Sequence, residues 1–326
     1  MSRFVSTASV SSFFRRLLTE AATLRPVFQA RSAIEIVYDK NLDLKGDRMA
    51  YTGSVDHVDA HYSVEALDEA ILDALGSSGK SLDSVTVEDL GPVDHFHIGG
   101  IEATLDLLQL AGLRPGSKVL DVGGGLGGAA RLLATRIEAT VTVLDATSEY
   151  CRVGQRLTDL VGLDDRVTFR HGDGCNMPFA EQSFDAVWMQ HANMNIEDKG
   201  ALFGEMYRVL HPGGRAAMHE VMAGATEPVR FPVPWAGRES ISFLAKQDAV
   251  RELVAGAGLK EVVWNDVTEA ALQWWRRRLA TIAVHGSPPL GTHLLMGPEA
   301  PAKAANLLHN LEERRISIVQ AVLERP

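Results

Sequence analysis

The sequence predicts an α/β fold built on a doubly wound sheet, and three observations carry that expectation. Residues 118–122 (KVLDV) form a short apolar run that passes into the glycine turn GGGLGG and then into a helical pattern over 126–135. A second β-branched run, 139–145 (ATVTVLD), ends in an acid where the second strand of a βαβ unit delivers a ribose-binding carboxylate. Strand-like and helical runs then alternate to the end of the chain, the order that covers both faces of a sheet with helices.

At 326 residues, 46% hydrophobic and 23% charged, the chain can bury a sizeable core, and one core domain with additions is expected. No uncharged apolar run is long enough to span a bilayer. The formal charge of −10 argues against nucleic acid as a partner. Two cysteines, Cys151 and Cys175, show neither metal-ligand spacing nor a disulfide framework, which fits a reducing compartment.

Residues 1–33 differ from the rest. They hold five arginines and one acid, many hydroxyls, and Phe13, Phe14, Leu17 and Leu18 as an apolar stripe. That is the make-up of a mitochondrial transit peptide, which implies the matrix. An ordinary N-terminal arm on a cytoplasmic protein is the alternative. Residues 34–92 read as an N-terminal extension or cap. Within them 32–64 has little periodicity and reads as loosely structured, and 64–75 is helical until Gly and Ser break it.

Glycines at 123, 125 and 127 let the backbone turn through conformations closed to other residues and let a ligand lie on the main chain. With Gly128 they also satisfy GxGxxG, so alone they fit nicotinamide, flavin or S-adenosylmethionine. Asp121 favours the last, because a carboxylate there repels a pyrophosphate but suits a cationic amino-acid end. Asp145 adds the expectation of a ribose.

Asp94, His95 and His97 crowd together before a helix at 101–111. No third ligand sits at a telling distance, so no metal is expected and the segment reads as a lid or a helix cap. Thr147 is placed to cap a helix that Gly162 ends. The third strand, 167–171, leads to a turn in which Asp173 can accept from an adenine amine or simply stabilise the turn.

The fourth strand, 183–189, opens into QHANMN at 190–195. Ligands of open α/β sheets lie outside the carboxyl ends of the strands, so Gln190, His191, Asn193 and Asn195 face the reacting group. A helix at 202–210 and a tight HPGG turn precede the fifth strand, 215–221, which brings His219 and Glu220 to the same cleft. His191 and His219 are the candidate bases. The proline-rich FPVPWA at 231–236 reads as a lid in which Phe231 or Trp235 touches substrate or packs on the core. Helices at 242–257, 270–282 and 302–315, a sixth strand at 259–264 and an antiparallel seventh strand at 316–324 complete the chain. Arg276, Arg277 and Arg278 read as a solvated helix face.

Taken in order, VLDVGGGLGG, VLD, GDG, SFDAVW and RVLHPGG resemble the motifs of class I S-adenosylmethionine-dependent methyltransferases. The resemblance is strong over 93–221. It implies a Rossmann-like seven-stranded sheet, with cofactor contacts at Asp121, Gly123, Gly125, Asp145, Asp173 and Gly174 and with Gln190 beneath the methionine part. Gly127 joins that set through the glycine motif. The methyltransferase domain is expected at 93–326, with a lid insertion at about 224–242 and a helical insertion at about 267–315. Within the class the chain is similar to the sarcosine and dimethylglycine N-methyltransferases, and to the tocopherol C-methyltransferases. Where the tocopherol group carries a histidine, this chain has Asn195. The resemblance implies methylation of a small molecule, by first expectation a glycine-derived amine, with Asn193, Asn195 and Trp235 at the substrate. A quinone or chromanol C- or O-methyltransferase and a methyltransferase-like assembly factor are the other readings.

Overall fold

A computed structural model describes residues 53–62, 64 and 66–326. The expected transit peptide and residues 34–52 of the extension lie outside the described residues. Among the described residues four α-helices precede the sheet: α1 (Gly53–Tyr62), α2 (Leu67–Ser77), α3 (Val87–Asp94) and α4 (Gly100–Ala111). The first corrects the reading of 32–64 as loosely structured, and the third was not expected. Its signal was present, because Thr86 and Asp89 exchange the reciprocal bonds of a capping box.

The sheet begins with β1 (Lys118–Val122), α5 (Gly128–Ile137) and β2 (Thr140–Asp145), followed by α6 (Ser148–Leu160) and β3 (Val167–His171). Then come β4 (Phe184–Gln190), α7 (Lys199–Val209) and β5 (Leu210–Ala223). The sequence HPGG, expected as a turn ahead of the strand, is absorbed into β5. The end of the chain supplies α8 (Gln247–Gly256), β6 (Lys260–Asp266), α9 (Thr268–His285), α10 (His293–Met296), α11 (Ala300–Glu312) and β7 (Ile316–Glu324). The helix expected from residue 242 starts only at Gln247. A short 3-10 turn, Glu239–Ile241, precedes it.

Strand order is β3-β2-β1-β4-β5-β7-β6, with β7 antiparallel to both neighbours and the other pairings parallel. This is the doubly wound, Rossmann-like seven-stranded sheet that the sequence predicts. The order reverses between β1 and β4, so the crevice where such sheets hold ligands opens above Val122 and Gln190. Two apolar layers sandwich the sheet. One holds Leu120, Phe203, Met206 and Met218 against α7 and α8, and the other holds Val119, Leu133, Val141 and Trp188 against α4 and α5. Among the described residues no helix is long and apolar enough to cross a membrane.

Arg131 of α5 is fully buried and forms an ion pair with Asp94 at 2.5 Å, which fastens the end of α3 to the main helix. Gly128 permits that approach, because a Cβ there would lie 2.3 Å from the Asp94 carbonyl oxygen. Segment 95–99 is thereby held against the crevice.

Candidate active site

The site is a cavity of about 1040 Å³ at the carboxyl ends of the strands. Asp121 and Asp145 stand at its floor, on adjacent strands. Both Asp145 oxygens take backbone amides, Oδ2 from Gly125 and Oδ1 from Thr147, each at 2.8 Å. Gly125 has φ of +56°, so the turn that aims its amide at Asp145 favours glycine. Thr147 does not cap α6 with its side chain as expected. Its backbone N–H serves Asp145, and its Oγ1 is buried without a partner among the described residues.

Asp121 is buried, and its Oδ2 finds no hydrogen-bond partner among the described residues. Burial, with Asp145 as the lesser cause, pushes its pKa up to about 8. The buried Tyr150 and His95 and the partly buried Gln190 and His191 also line the cavity, each with a buried polar atom unpartnered among the described residues. Buried polar atoms without partners are costly, and so many around one cavity fit a ligand that carries several donors and acceptors. Gly123 and Gly124 keep the cradle open. A Cβ on Gly124 would sit 2.6 Å from Asp121 Oδ2, and one on Gly123 would sit 2.4 Å from Ala192 Cβ.

Other expected residues divide into those on the wall and those behind it. Asp173 and Gly174 line the cavity, and Asp173 Oδ1 accepts from Cys175 N at 2.8 Å, so this aspartate stabilises its own turn. Gln190 Oε1 accepts from Trp188 Nε1 at 2.9 Å and from Thr104 Oγ1 at 3.3 Å, which leaves its amide nitrogen for the cavity. Asn195 donates to the Trp235 carbonyl at 2.8 Å and accepts from Tyr62 at 2.9 Å. Trp235 lines the cavity while its indole N–H goes to Ser242 Oγ.

Gly127, Asn193, His219 and Glu220, all expected at the site, stand outside the cavity lining. A Cβ on Gly127 would strike the Phe169 ring at 2.5 Å, so this glycine serves packing between α5 and β3. Asn193 is buried in the loop after β4, where its backbone N–H donates to Glu220. His219 lies behind His191, with Nε2 at 2.8 Å from the Ile98 carbonyl. This corrects its reading as a cleft-facing base.

His191 itself is on the wall, with φ of +52°. Such a conformation is strained for a residue with a side chain and persists only where neighbours enforce it. Here the His191 N–H donates to the His219 carbonyl, and the next two amides donate to Glu220. Burial raises Glu220 to about 8 despite those amides, and lowers Lys199, which donates to the Asn193 and Ile196 carbonyls, to about 8. His97 joins the histidines, its ring centroid 5.9 Å from that of His191 and 5.6 Å from that of His219. Burial holds all three imidazoles below their ordinary pKa, so they are neutral near pH 7. Among the described residues no group of three or more His, Cys, Asp and Glu is arranged to hold a metal ion.

Tyr62, Tyr150 and Thr104 escape a reading of the sequence. Tyr62 and Tyr150 lie in helices far from any glycine motif, and only folding brings their rings to 5.7 Å from each other over the cradle.

Comparison with known proteins agrees with this geometry. A family model described as a methyltransferase domain matches residues 120–218. Methyltransferase GfsG of Streptomyces halstedii is 32% identical over 56% of this chain and 66% of its own. Cycloartenol-C-24-methyltransferase of Arabidopsis thaliana is 41% identical over 37% of this chain and 36% of its own. The chain thus spans just under two thirds of the first relative and about a third of the second. The Haemonchus contortus phosphoethanolamine N-methyltransferase 2, solved with S-adenosyl-L-methionine, superposes with a TM-score of 0.66 at 19% identity, over 84% of this chain and 60% of that one. Strand order, motif order and the matched domain agree, and residues 120–218 form a methyltransferase domain of the class I, S-adenosylmethionine-dependent kind.

Proposed function

We propose that this protein transfers a methyl group from S-adenosylmethionine to a small molecule. The observation that carries the reading is the carboxylate pair at the tips of β1 and β2, with Asp145 tied to the glycine turn and Asp121 left without a partner for one oxygen. Asp121 suits an ammonium group, Asp145 suits ribose hydroxyls, and the opened glycines let a ligand rest on the backbone. Once bound, the cofactor supplies an electrophilic methyl on a sulfonium. The protein's part is then to orient the acceptor and exclude water, which can supply on the order of 7 to 11 kcal/mol.

For the acceptor, the first reading is an amine of the glycine-derived, sarcosine or dimethylglycine type. An amine must be neutral to attack, and the unpartnered Nε2 of neutral His191 on the cavity wall can take up its proton. The second reading is a carbon acceptor such as a quinone or chromanol. It is favoured by the apolar side chains of Trp275, Leu295, Met296 and Leu307 on the wall and by the C-methylating relative. The volume is at the upper limit of the roughly 300 to 1,000 Å³ usual for one ligand, so it leaves room for an acceptor beside the cofactor. The mitochondrial address rests on the composition of residues 1–33, and import of a fusion carrying them tests it.

Calorimetric titration with S-adenosylmethionine tests the cofactor, with at least tenfold weaker binding expected for Asp145→Ala. Labelled methyl transfer against a panel of glycine-derived amines, demethylated quinones and sterols tests the acceptor. No binding, or unchanged affinity in Asp145→Ala, overturns the reading.

A further inference from the structure

The arginine run at 276–278 divides on folding. Arg276, paired with Glu312 at 2.7 Å, and Arg277 are exposed, as expected of a solvated face, whereas Arg278 is drawn partly inward; Arg277 and Arg278 both border the cavity. Arg278 is partly buried and its guanidinium carbon lies 5.7 Å from the centre of the Trp274 ring. Among the described residues neither Arg277 nor Arg278 has a side-chain hydrogen bond or an ion pair within 4.0 Å. Glu102 of α4 also lines the cavity and acts on Arg278 through its charge, without closing such a pair. A guanidinium does not deprotonate in proteins, so Arg278 is a permanent cation on the wall of a partly enclosed space. With no hydrogen bond or ion pair taking its N–H donors among the described residues, its planar fork can match two oxygens of a carboxylate or phosphate.

We propose that Arg278, with Arg277 beside it, forms a subsite for an oxyanion, a phosphate or carboxylate group carried by the methyl acceptor. The proposal rests on the reading of this cavity as the site of methyl transfer. It assigns the acceptor two ends, one at the histidine wall where the methyl arrives and one anionic end held by α9.

Titration of the full chain with inorganic pyrophosphate, inorganic phosphate and acetate, followed by tryptophan fluorescence, tests it without any cofactor. Wild type is expected to respond saturably and less so at high salt. Arg278→Gln is expected to weaken binding at least tenfold, Arg278→Lys to retain part of it, and Arg276→Gln to leave it unchanged. Glu102→Gln is expected to tighten binding, because a competing negative charge is removed. A stronger response to the phosphates assigns a phosphorylated acceptor, and an equal response to acetate assigns a carboxylate. No response in wild type, or the same response in Arg278→Gln, overturns the proposal. Calorimetry with S-adenosylmethionine on the same samples separates the two claims. Loss of cofactor binding there would count against the methyltransferase reading alone.

Discussion

The imidazole of His191 lies flat on that of His219, with ring centroids 5.0 Å apart and planes 10° from parallel. Protonating either ring would set a charge in a buried site beside its neighbour. Burial lowers the His219 pKa to about 4, against 6.5 for an ordinary histidine. Between those values the unfolded chain binds the proton and the folded one does not. Stability from this group is therefore complete above pH 6.5 and lost as pH falls toward 4. At about 1.36 kcal/mol per pH unit the loss is on the order of 3 kcal/mol. Urea unfolding at pH 7, 6, 5 and 4 should show a steeper decline for wild type than for His219→Asn. Parallel curves would refute it.

Asp121 is shifted in the opposite direction. Its carboxyl, held near 8 by burial and Asp145, is protonated in the free protein at pH 7. A cationic ligand end favours the ionised form, so binding must release a proton. Affinity for S-adenosylmethionine is expected to rise between pH 6 and pH 8 and to level off above. Calorimetry in two buffers of different ionisation enthalpy should detect up to about one proton released. Asp121→Asn should bind at least tenfold more weakly and without the pH dependence. A flat pH profile in wild type would leave Asp121 without this role.

How much of this was legible in the sequence depends on how locally each feature is encoded. Asp121, Gly125 and Asp145 belong to one βαβ unit, where strand, turn and helix lengths fix the geometry, and the sequence placed them together correctly. The histidine cluster was only half legible, because His97, His191 and His219 come from the loop before α4 and the ends of β4 and β5. Which of them faces the cavity depends on the backbone of His191 turning to positive φ, and no spacing rule encodes that. Arg278 was misread because a charge run looks alike on a solvent face and on a cavity wall.

Gly127 tests the distinction between a glycine needed by a ligand and one needed by packing. Its φ of +81° and the Phe169 ring, 2.5 Å from where a Cβ would stand, both oppose a side chain. Gly127→Ala is therefore expected to lose about 1 to 3 kcal/mol of stability. Cofactor affinity of the folded protein should change by less than about threefold. Thermal melts with and without S-adenosylmethionine separate the two effects. A normal melting temperature with lost affinity would return Gly127 to the cofactor cradle.

The Arg131–Asp94 pair supports the site from behind. Arg131 donates from Nη2 to Asp94 Oδ1 at 2.5 Å, from Nε to Oδ2 at 3.2 Å and from Nη1 to Thr158 Oγ1 at 2.9 Å. Both side chains are essentially inaccessible to water, so removing one strands a charge on the other. Arg131→Met is expected to cost about 3 to 5 kcal/mol, and Asp94→Leu combined with it to recover much of that loss. Because Asp94 ends α3 just before His95 and His97, the single variant should also expose that segment to faster amide exchange. Hydrogen exchange across 95–99, alongside denaturant unfolding of both variants, checks the claim. Equal stability of the single and double variants would mean that the aspartate is rehydrated at little cost, and that α3 is not held by this pair.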